Sequence, residues 1–137
     1  MPANDPDVIQ RLLTTPARWA VVGLSTNTAR PAYGVARYLM SLGHEVVPVH
    51  PRAETVHGAQ GYAHLGDVPG GIDVVDLFVN SSRVGPLIDE AIEIEAAAVW
   101  LQIGVSDPEA EERARAAGLD VVVDTCPKME GARLRDR

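Results

Sequence analysis

The sequence has little of three things: cysteine, aromatic side chains and positive charge. A lone cysteine, Cys126, excludes an internal disulfide and fits a reducing compartment. Aromatic residues are only 4% of the 137 residues, so we expect a core built from Val, Ile, Leu and Ala. Lys and Arg number 12 against 19 Asp and Glu, for a formal net charge of −7. This charge disfavours a nucleic-acid partner but not a small anionic ligand, which needs only a few local donors.

Long apolar runs are also missing. No stretch approaches the roughly 20 residues that span a bilayer. The opening MPANDPDVIQ has neither the basic region nor the apolar stretch of a signal peptide. We therefore expect a cytoplasmic protein that has no membrane partner. The length predicts one domain over residues 1–137, with a core over 5–130 and a polar, frayed tail over 131–137.

Strand-like and helix-like segments alternate along the chain, which indicates a parallel sheet. Five short apolar runs predict strands at 19–23, 45–49, 72–79, 99–103 and 119–123. Helical spacing predicts helices at 5–14, around 35–42, at 83–97 and from 106 to 118, with an irregular crossover at 51–71. The pattern predicts an α/β, Rossmann-like fold: a five-stranded parallel sheet of order 3-2-1-4-5 with helices on both faces. The ligand crevice of such a fold lies outside the carboxyl ends of strands 1 and 4.

The loop after the first predicted strand carries donors suited to a phosphate. Gly23 would let the backbone approach an anion closely, and the amides at the next helix start could bind it. Hydroxyl, amide and guanidinium groups follow on Ser25, Thr26, Asn27, Thr28 and Arg30. The alternative is a polar surface loop without a ligand.

The same region departs from the dinucleotide-binding fingerprint. That fingerprint needs three glycines in the turn, and here only Gly23 is present. It also places an acid after the second strand, whereas this chain has His50, Pro51 and Arg52. A cationic or neutral edge accepts a ribose 3′-phosphate that a carboxylate would repel. The sequence therefore favours a phosphorylated adenosine over NAD.

Five stretches stand in order along the chain: VVGLSTNTARPAYGVARYL, EVVPVHP, DVVDLFVN, AVWLQIGV and AGLDVVVDTCPKME. In these stretches the sequence resembles stand-alone CoA-binding domain proteins, relatives of the CoA-binding domain of the succinyl-CoA synthetase α chain and of ADP-forming acetyl-CoA synthetases. The resemblance covers residues 19–130 and implies coenzyme A bound across the carboxyl edge of the sheet. It implies binding without synthetase activity, because the histidine-bearing ligase domain of the synthetases is not part of this chain.

The resemblance also implies a set of contacts. They are Gly23, Ser25, Thr26 and Arg30 at the phosphates; His50, Pro51 and Arg52 at the adenosine; Val79, Asn80 and Arg83 at the nucleotide or pyrophosphate; and Gln102 and Gly104 at the pantetheine arm. Thr125 stands where the family leads us to expect a basic residue, which puts charge at that corner in doubt.

Several alternatives remain open from the residues. Cys126 is either a thiol that forms a mixed disulfide with coenzyme A or a buried apolar residue. A CoA-linked transferase or redox enzyme using Cys126, an NAD(P)-binding protein and a protein-interaction domain are the rival functions. The ligand itself could be coenzyme A, an acyl-CoA or CoA disulfide. The four histidines match no metal-ligand spacing, so we expect no metal site.

Overall fold

The computed structural model describes residues 4–136; positions 1–3 and 137 lie outside the described residues. Helices and strands alternate, as the apolar spacing predicts. The elements are α1 (Pro6–Thr14), β1 (Arg18–Val22), α2 (Pro31–Ser41), β2 (Glu45–Val49), β3 (Val74–Leu77), α3 (Ser81–Glu93), β4 (Ala98–Leu101), α4 (Pro108–Ala116), β5 (Asp120–Val122) and α5 (Pro127–Arg135). The crossover between β2 and β3 holds one 3₁₀ turn, Leu65–Asp67.

The five strands form one parallel sheet, which confirms the predicted α/β class. Its order along the chain is β2-β1-β3-β4-β5. The third strand thus lies between β1 and β4, and not outside β2 as the expected order 3-2-1-4-5 has it. The order consequently reverses between β1 and β3, and this is where a doubly wound sheet opens its crevice.

Pro48 gives the physical reason for that difference. It lies in β2, and its carbonyl accepts a hydrogen bond from the Tyr62 N–H on the side away from β1. The N–H that proline lacks would point to the same side, so a full strand could not pair there. β2 is therefore an edge strand, and the crossover covers its outer side at a single bridge, Val49 to Tyr62.

Helices cover both faces of the sheet, as predicted. On one face α3 and α4 bring Val84, Ile88, Ala110 and Ala114 onto Val75 and Leu101. On the other, α1 and α2 bring Leu12, Leu13, Val35 and Leu39 onto Val21 and Val74. The expectation of an aliphatic core fails on this second face, because Trp19 and Trp100 are fully buried there with ring centroids 5.7 Å apart.

The segment predicted as a frayed tail is the helix α5. Gly131 is buried against α2, where a Cβ would lie 1.8 Å from the Tyr38 hydroxyl oxygen. The prediction of a frayed tail was wrong because it rested on the four charged residues of this segment. The contact that holds the helix is made by Gly131, which has no side chain to form an apolar pattern. The helix predicted from residue 106 begins at Pro108, because Asp107 is its N-cap and accepts from the Ala110 N–H at 3.2 Å. Within residues 4–136 no helix is long and apolar enough to cross a membrane.

Candidate functional site

A crevice of about 690 Å³ opens at the carboxyl edge of the sheet. Residues at the end of each strand, or in the segment after it, line the crevice, because parallel strands bring all their carboxyl ends to one edge. Ten of the predicted site residues line it: Gly23, Ser25, Arg30, His50, Pro51, Val79, Asn80, Arg83, Gln102 and Cys126. The sequence therefore predicted groups that the fold brings together from five separate segments.

Three predicted site residues, Thr26, Arg52 and Gly104, do not line the crevice. The backbone of Gly104 is used elsewhere: its N–H donates to Asp124 at 2.8 Å and its carbonyl accepts from the Ser81 hydroxyl at 3.3 Å. These bonds tie together the loops that follow β3, β4 and β5. Arg52 lies on the exposed turn after β2, where its N–H donates to His50 Nδ1 at 3.2 Å. A neutral His50 then carries its proton on Nε2, as a donor.

Gly23 sets the shape of the crevice at the point where the strand order reverses. Its φ is +98°, a conformation that side chains disfavour. A Cβ at this position would lie 2.3 Å from the carbonyl oxygen of Phe78. Only glycine lets the chain leave β1 this close to the end of β3. The loop that begins α2 is thereby held over the sheet edge.

Three helices begin at the crevice without a side-chain cap. Pro31 opens α2 there, and Asn80 and Cys126 are the N-cap residues of α3 and α5. Neither of these N-cap residues, nor Arg30 at α2, makes a capping hydrogen bond. Helix N-termini carry free N–H groups and the positive end of the helix dipole. The crevice therefore offers a positive potential from the backbone alone.

Two guanidinium groups add to that potential. Arg30 and Arg83 both line the crevice, and within residues 4–136 neither side chain forms an ion pair or a hydrogen bond. Arg18, at the opposite end of β1, contrasts with them. It donates to Glu45 at 2.7 Å and to the Pro69 carbonyl at 2.6 Å. An acidic protein that leaves two arginines unpaired at one crevice offers a site for an anion.

A sequence model described as the CoA binding domain matches residues 17–132. The chain belongs to this family. It is 31% identical over 124 residues to the protein YneT of Bacillus subtilis (strain 168), which covers 90% of this chain and 92% of that protein. This confirms the resemblance on which the expected contacts rest.

Solved structures of other proteins have a fold similar to that of this chain. A protein from Pyrococcus horikoshii OT3 is 36% identical, with a TM-score of 0.90 over 96% of this chain and 93% of that one. The dinucleotide-forming acetyl-coenzyme A synthetase 1 of Ca. Korarchaeum cryptofilum, in complex with phosphate and ADP, is 27% identical with a TM-score of 0.71. That likeness covers 82% of this chain and 26% of the synthetase.

Glu54 is a polar residue near the site that the sequence did not reveal. Its carboxylate accepts from the Thr26 N–H at 3.3 Å and from the Thr26 hydroxyl at 3.1 Å. The Thr26 amide holds the pKa of Glu54 below its ordinary value. Two more loop amides bond locally, those of Asn27 and Ala29. The loop is thus less open to a phosphate than its sequence suggests, and Thr26 is already occupied.

The lining residues that the sequence analysis missed include side chains of α3 and of the crossover. Leu87 and Glu90 line the crevice together with Arg83. Their spacing of four and three residues puts all three on one side of a helix, which was a readable signal. His64 and Leu65 line the crevice from the crossover, where no pattern in the sequence pointed to them.

Cys126 is half-buried at the crevice and packs against the tryptophan-bearing face of the sheet. It is therefore neither a fully buried core residue nor a surface thiol. Histidines do not converge on a metal: His44 bonds Ala17 and Leu13, and His57 bonds Tyr33. Over residues 4–136, no three His, Cys, Asp or Glu side chains are grouped to hold an ion.

Proposed function

We propose that the CoA-binding domain binds coenzyme A reversibly in the carboxyl-edge crevice and carries out no catalysis of its own. The unpaired Arg30 and Arg83 at the uncapped starts of α2 and α3 carry this proposal. Coenzyme A has a pyrophosphate and a ribose 3′-phosphate, and such anions bind at helix N-termini beside arginine. Family membership selects this ligand among other phosphorylated compounds.

The residues divide along the crevice according to the ligand's parts. Gly23, Ser25 and Arg30 would hold phosphate, with His50 and Pro51 beside the adenosine. Asn80 and Arg83 would meet the pyrophosphate from the other side of the strand-order reversal. Gln102 and Cys126 follow β4 and β5, so the pantetheine arm would run along the sheet edge toward them.

The decisive experiment is calorimetric titration of the purified protein with coenzyme A and with NAD. We expect coenzyme A to bind and NAD to bind far more weakly. Thermal melting in both ligands gives a second readout, since a ligand at a hundredfold excess over Kd stabilises the native state by about 2.7 kcal/mol. Equal or tighter NAD binding would favour the NAD(P) alternative, for which the Glu54 carboxylate beside the first loop would be the candidate ribose acceptor.

A thiol function is the second candidate, because Cys126 lies at the crevice instead of in the core. The Cys126 thiolate would attack CoA disulfide, forming a protein–CoA disulfide and releasing one CoA thiolate. Intact-protein mass spectrometry would show an adduct that dithiothreitol removes and that Cys126→Ser abolishes. If Cys126 labels only after denaturation, the protein is a simple binder.

A further inference from the structure

Asp76 is a fully buried carboxyl group in the middle of the sheet. It lies on β3, with Val21 of β1 and Trp100 of β4 beside it in register. Its Oδ1 accepts from Gln102 Nε2 at 2.7 Å, whereas Oδ2 has no partner among residues 4–136. A buried, half-satisfied carboxyl costs stability, and a valine would suit this position better. Because Asp76 does not stabilise the fold, we look for its role in the crevice.

Gln102 connects this carboxyl group to the crevice. It follows β4 on the same face of the sheet and lines the crevice, although only 6% of its surface is exposed. Its Nε2 is committed to Asp76. Its Oε1 accepts no hydrogen bond from the described residues and, unlike Asp76 Oδ2, is not sealed from solvent. Oε1 is therefore the polar atom that this amide offers to a ligand.

The orientation of the Gln102 amide depends on whether the Asp76 carboxyl group is ionised or protonated. An ionised carboxylate only accepts hydrogen bonds, so it requires Nε2 of Gln102 to face it. A protonated carboxyl also donates, so the amide could turn and offer Nε2 to the crevice instead. We propose that Asp76 is a positioning residue that fixes Gln102 with Oε1 toward the crevice, where it selects a ligand segment carrying an N–H or O–H donor.

This inference rests on the proposed function and adds the chemistry of one end of the site. The pantetheine arm of coenzyme A carries two amide N–H groups and a hydroxyl, so it has the donors that Oε1 would accept. The nucleotide part lies at the other end of the crevice, at Arg30 and His50. Adenosine 3′,5′-bisphosphate has that nucleotide part with two phosphates and no pantetheine, so it serves as the reference ligand.

Burial raises the pKa of Asp76 to about 7, which brings both protonation states within reach of experiment. Few other groups on this face titrate. Its charged residues on α1, α2 and α5 are exposed except for Glu130, which Thr125 and Arg133 hold. The remaining titratable side chains in or against this face are Tyr33, Tyr38, His44, His57 and Cys126. An Asp76 variant is therefore needed to assign any pH effect.

The experiment measures Kd by calorimetry for coenzyme A and for adenosine 3′,5′-bisphosphate, from pH 5.5 to 8.5. The reference ligand has a 5′-phosphate monoester, whose second pKa is about 6, where coenzyme A has a pyrophosphate that does not titrate in this range. The ratio of the two constants is therefore compared, at each pH, with the same ratio for Asp76→Asn. Relative to Asp76→Asn at the same pH, we expect the native preference for coenzyme A to fall about three- to tenfold as the pH drops through 7, the range of one neutral hydrogen bond. Gln102→Met should lose the preference at every pH. Asp76→Asn should show a smaller preference, and only the 5′-phosphate of the reference ligand should make it vary with pH.

Asp73→Asn is the matched control. Asp73 lies three residues earlier, at the other end of β3, where it accepts from the Arg18 N–H. This variant should keep the native ratio and its pH profile. A native ratio that follows the Asp76→Asn ratio at every pH, or one that Gln102→Met leaves unchanged, would overturn the inference while coenzyme A binding stands. If neither ligand binds the native protein, it is the proposed function that fails.

Discussion

All five helices begin on the carboxyl side of the sheet, yet their N-termini differ. α1 and α4 are capped by Asp5 and Asp107, whose carboxylates accept backbone N–H groups. α2, α3 and α5 begin at the crevice and have no side-chain cap. Capping with a carboxylate neutralises a helix start, whereas an open start stays ready for an external anion.

The capped helices α1 and α4 have N-termini arranged for stability, whereas the open helices α2, α3 and α5 have N-termini arranged to bind a ligand. An N-cap contributes about 1 kcal/mol, so three open starts are a cost that the fold accepts only around the crevice. The arginines follow the same division. Arg113 of α4 is paired with Asp89 at 2.9 Å, whereas Arg30 and Arg83 at the open starts have no protein partner among residues 4–136. We expect the ligand's phosphates to accept hydrogen bonds from the open helix N-termini and to pair with the two arginines.

Gly23→Ala should have the largest effect, because it displaces the loop that opens α2. The new Cβ would meet the Phe78 carbonyl oxygen, and the backbone would have to keep a positive φ. We expect a loss of about 3–5 kcal/mol in the free energy of unfolding and no measurable coenzyme A binding. Urea denaturation and calorimetry measure the two effects.

Gly34→Ala is the control for that substitution. Gly34 lies in α2, where nothing stands within 4 Å of an added Cβ. Alanine should stabilise this helix by up to about 1 kcal/mol. If Gly23→Ala is as well tolerated as Gly34→Ala, the close approach of β1 to β3 does not shape the crevice.

The sequence predicted the crevice better than the sheet that forms it. His50 and Asn80 directly follow predicted strands, and Gly23 and Gln102 lie at the ends of two others. Strand ends meet at one edge whatever the strand order. The order itself depends on which strand can lie at an edge. Pro48 carries that information, because a proline has no N–H to donate to a second partner strand. Glu54 could not be found, because only the folded crossover brings it to Thr26.

Asp76→Asn should have the next largest effect, and it depends on pH. The folded-state pKa is about 7, above the ordinary value of 3.8, so the native state holds a proton that the unfolded state loses. Stability should therefore fall as the pH rises from 4 to 7 and stay flat above 7. The shift corresponds to at most about 4 kcal/mol. Asp76→Asn should remove this slope and be the more stable protein at pH 8, but not at pH 4.

Urea melts at several pH values test that prediction. Asp73→Asn again serves as the control, since Asp73 is exposed and should leave the slope in place. Burial lowers the pKa of His44, which raises stability over the same pH range, so the comparison is with Asp76→Asn. A native protein whose stability has the same pH dependence as that of Asp76→Asn between pH 5 and 7 would contradict a raised pKa for Asp76.

Arg30→Gln and Arg83→Gln test the unpaired charges directly. Each should weaken coenzyme A binding by about 1–3 kcal/mol, the range of a charge-assisted hydrogen bond, with little change in melting temperature. Arg113→Gln removes the same charge from a capped helix and should leave the affinity unchanged. Calorimetry on the three variants decides the matter. Equal losses in all three would mean that net charge, and not the open helix starts, governs binding.

The smallest expected effect comes from installing the missing cap. Asn80→Asp places a carboxylate at the start of α3, where the helix dipole should stabilise it by about 0.3–1 kcal/mol. The same carboxylate would repel the ligand's phosphates, so coenzyme A should bind severalfold more weakly to a more stable protein. Asp107→Asn at α4 is the reverse exchange: it should cost about as much stability and leave binding alone. Thermal melting and calorimetry together separate the two helices. A more stable Asn80→Asp protein with native affinity would show that the open start of α3 does not face the bound anion.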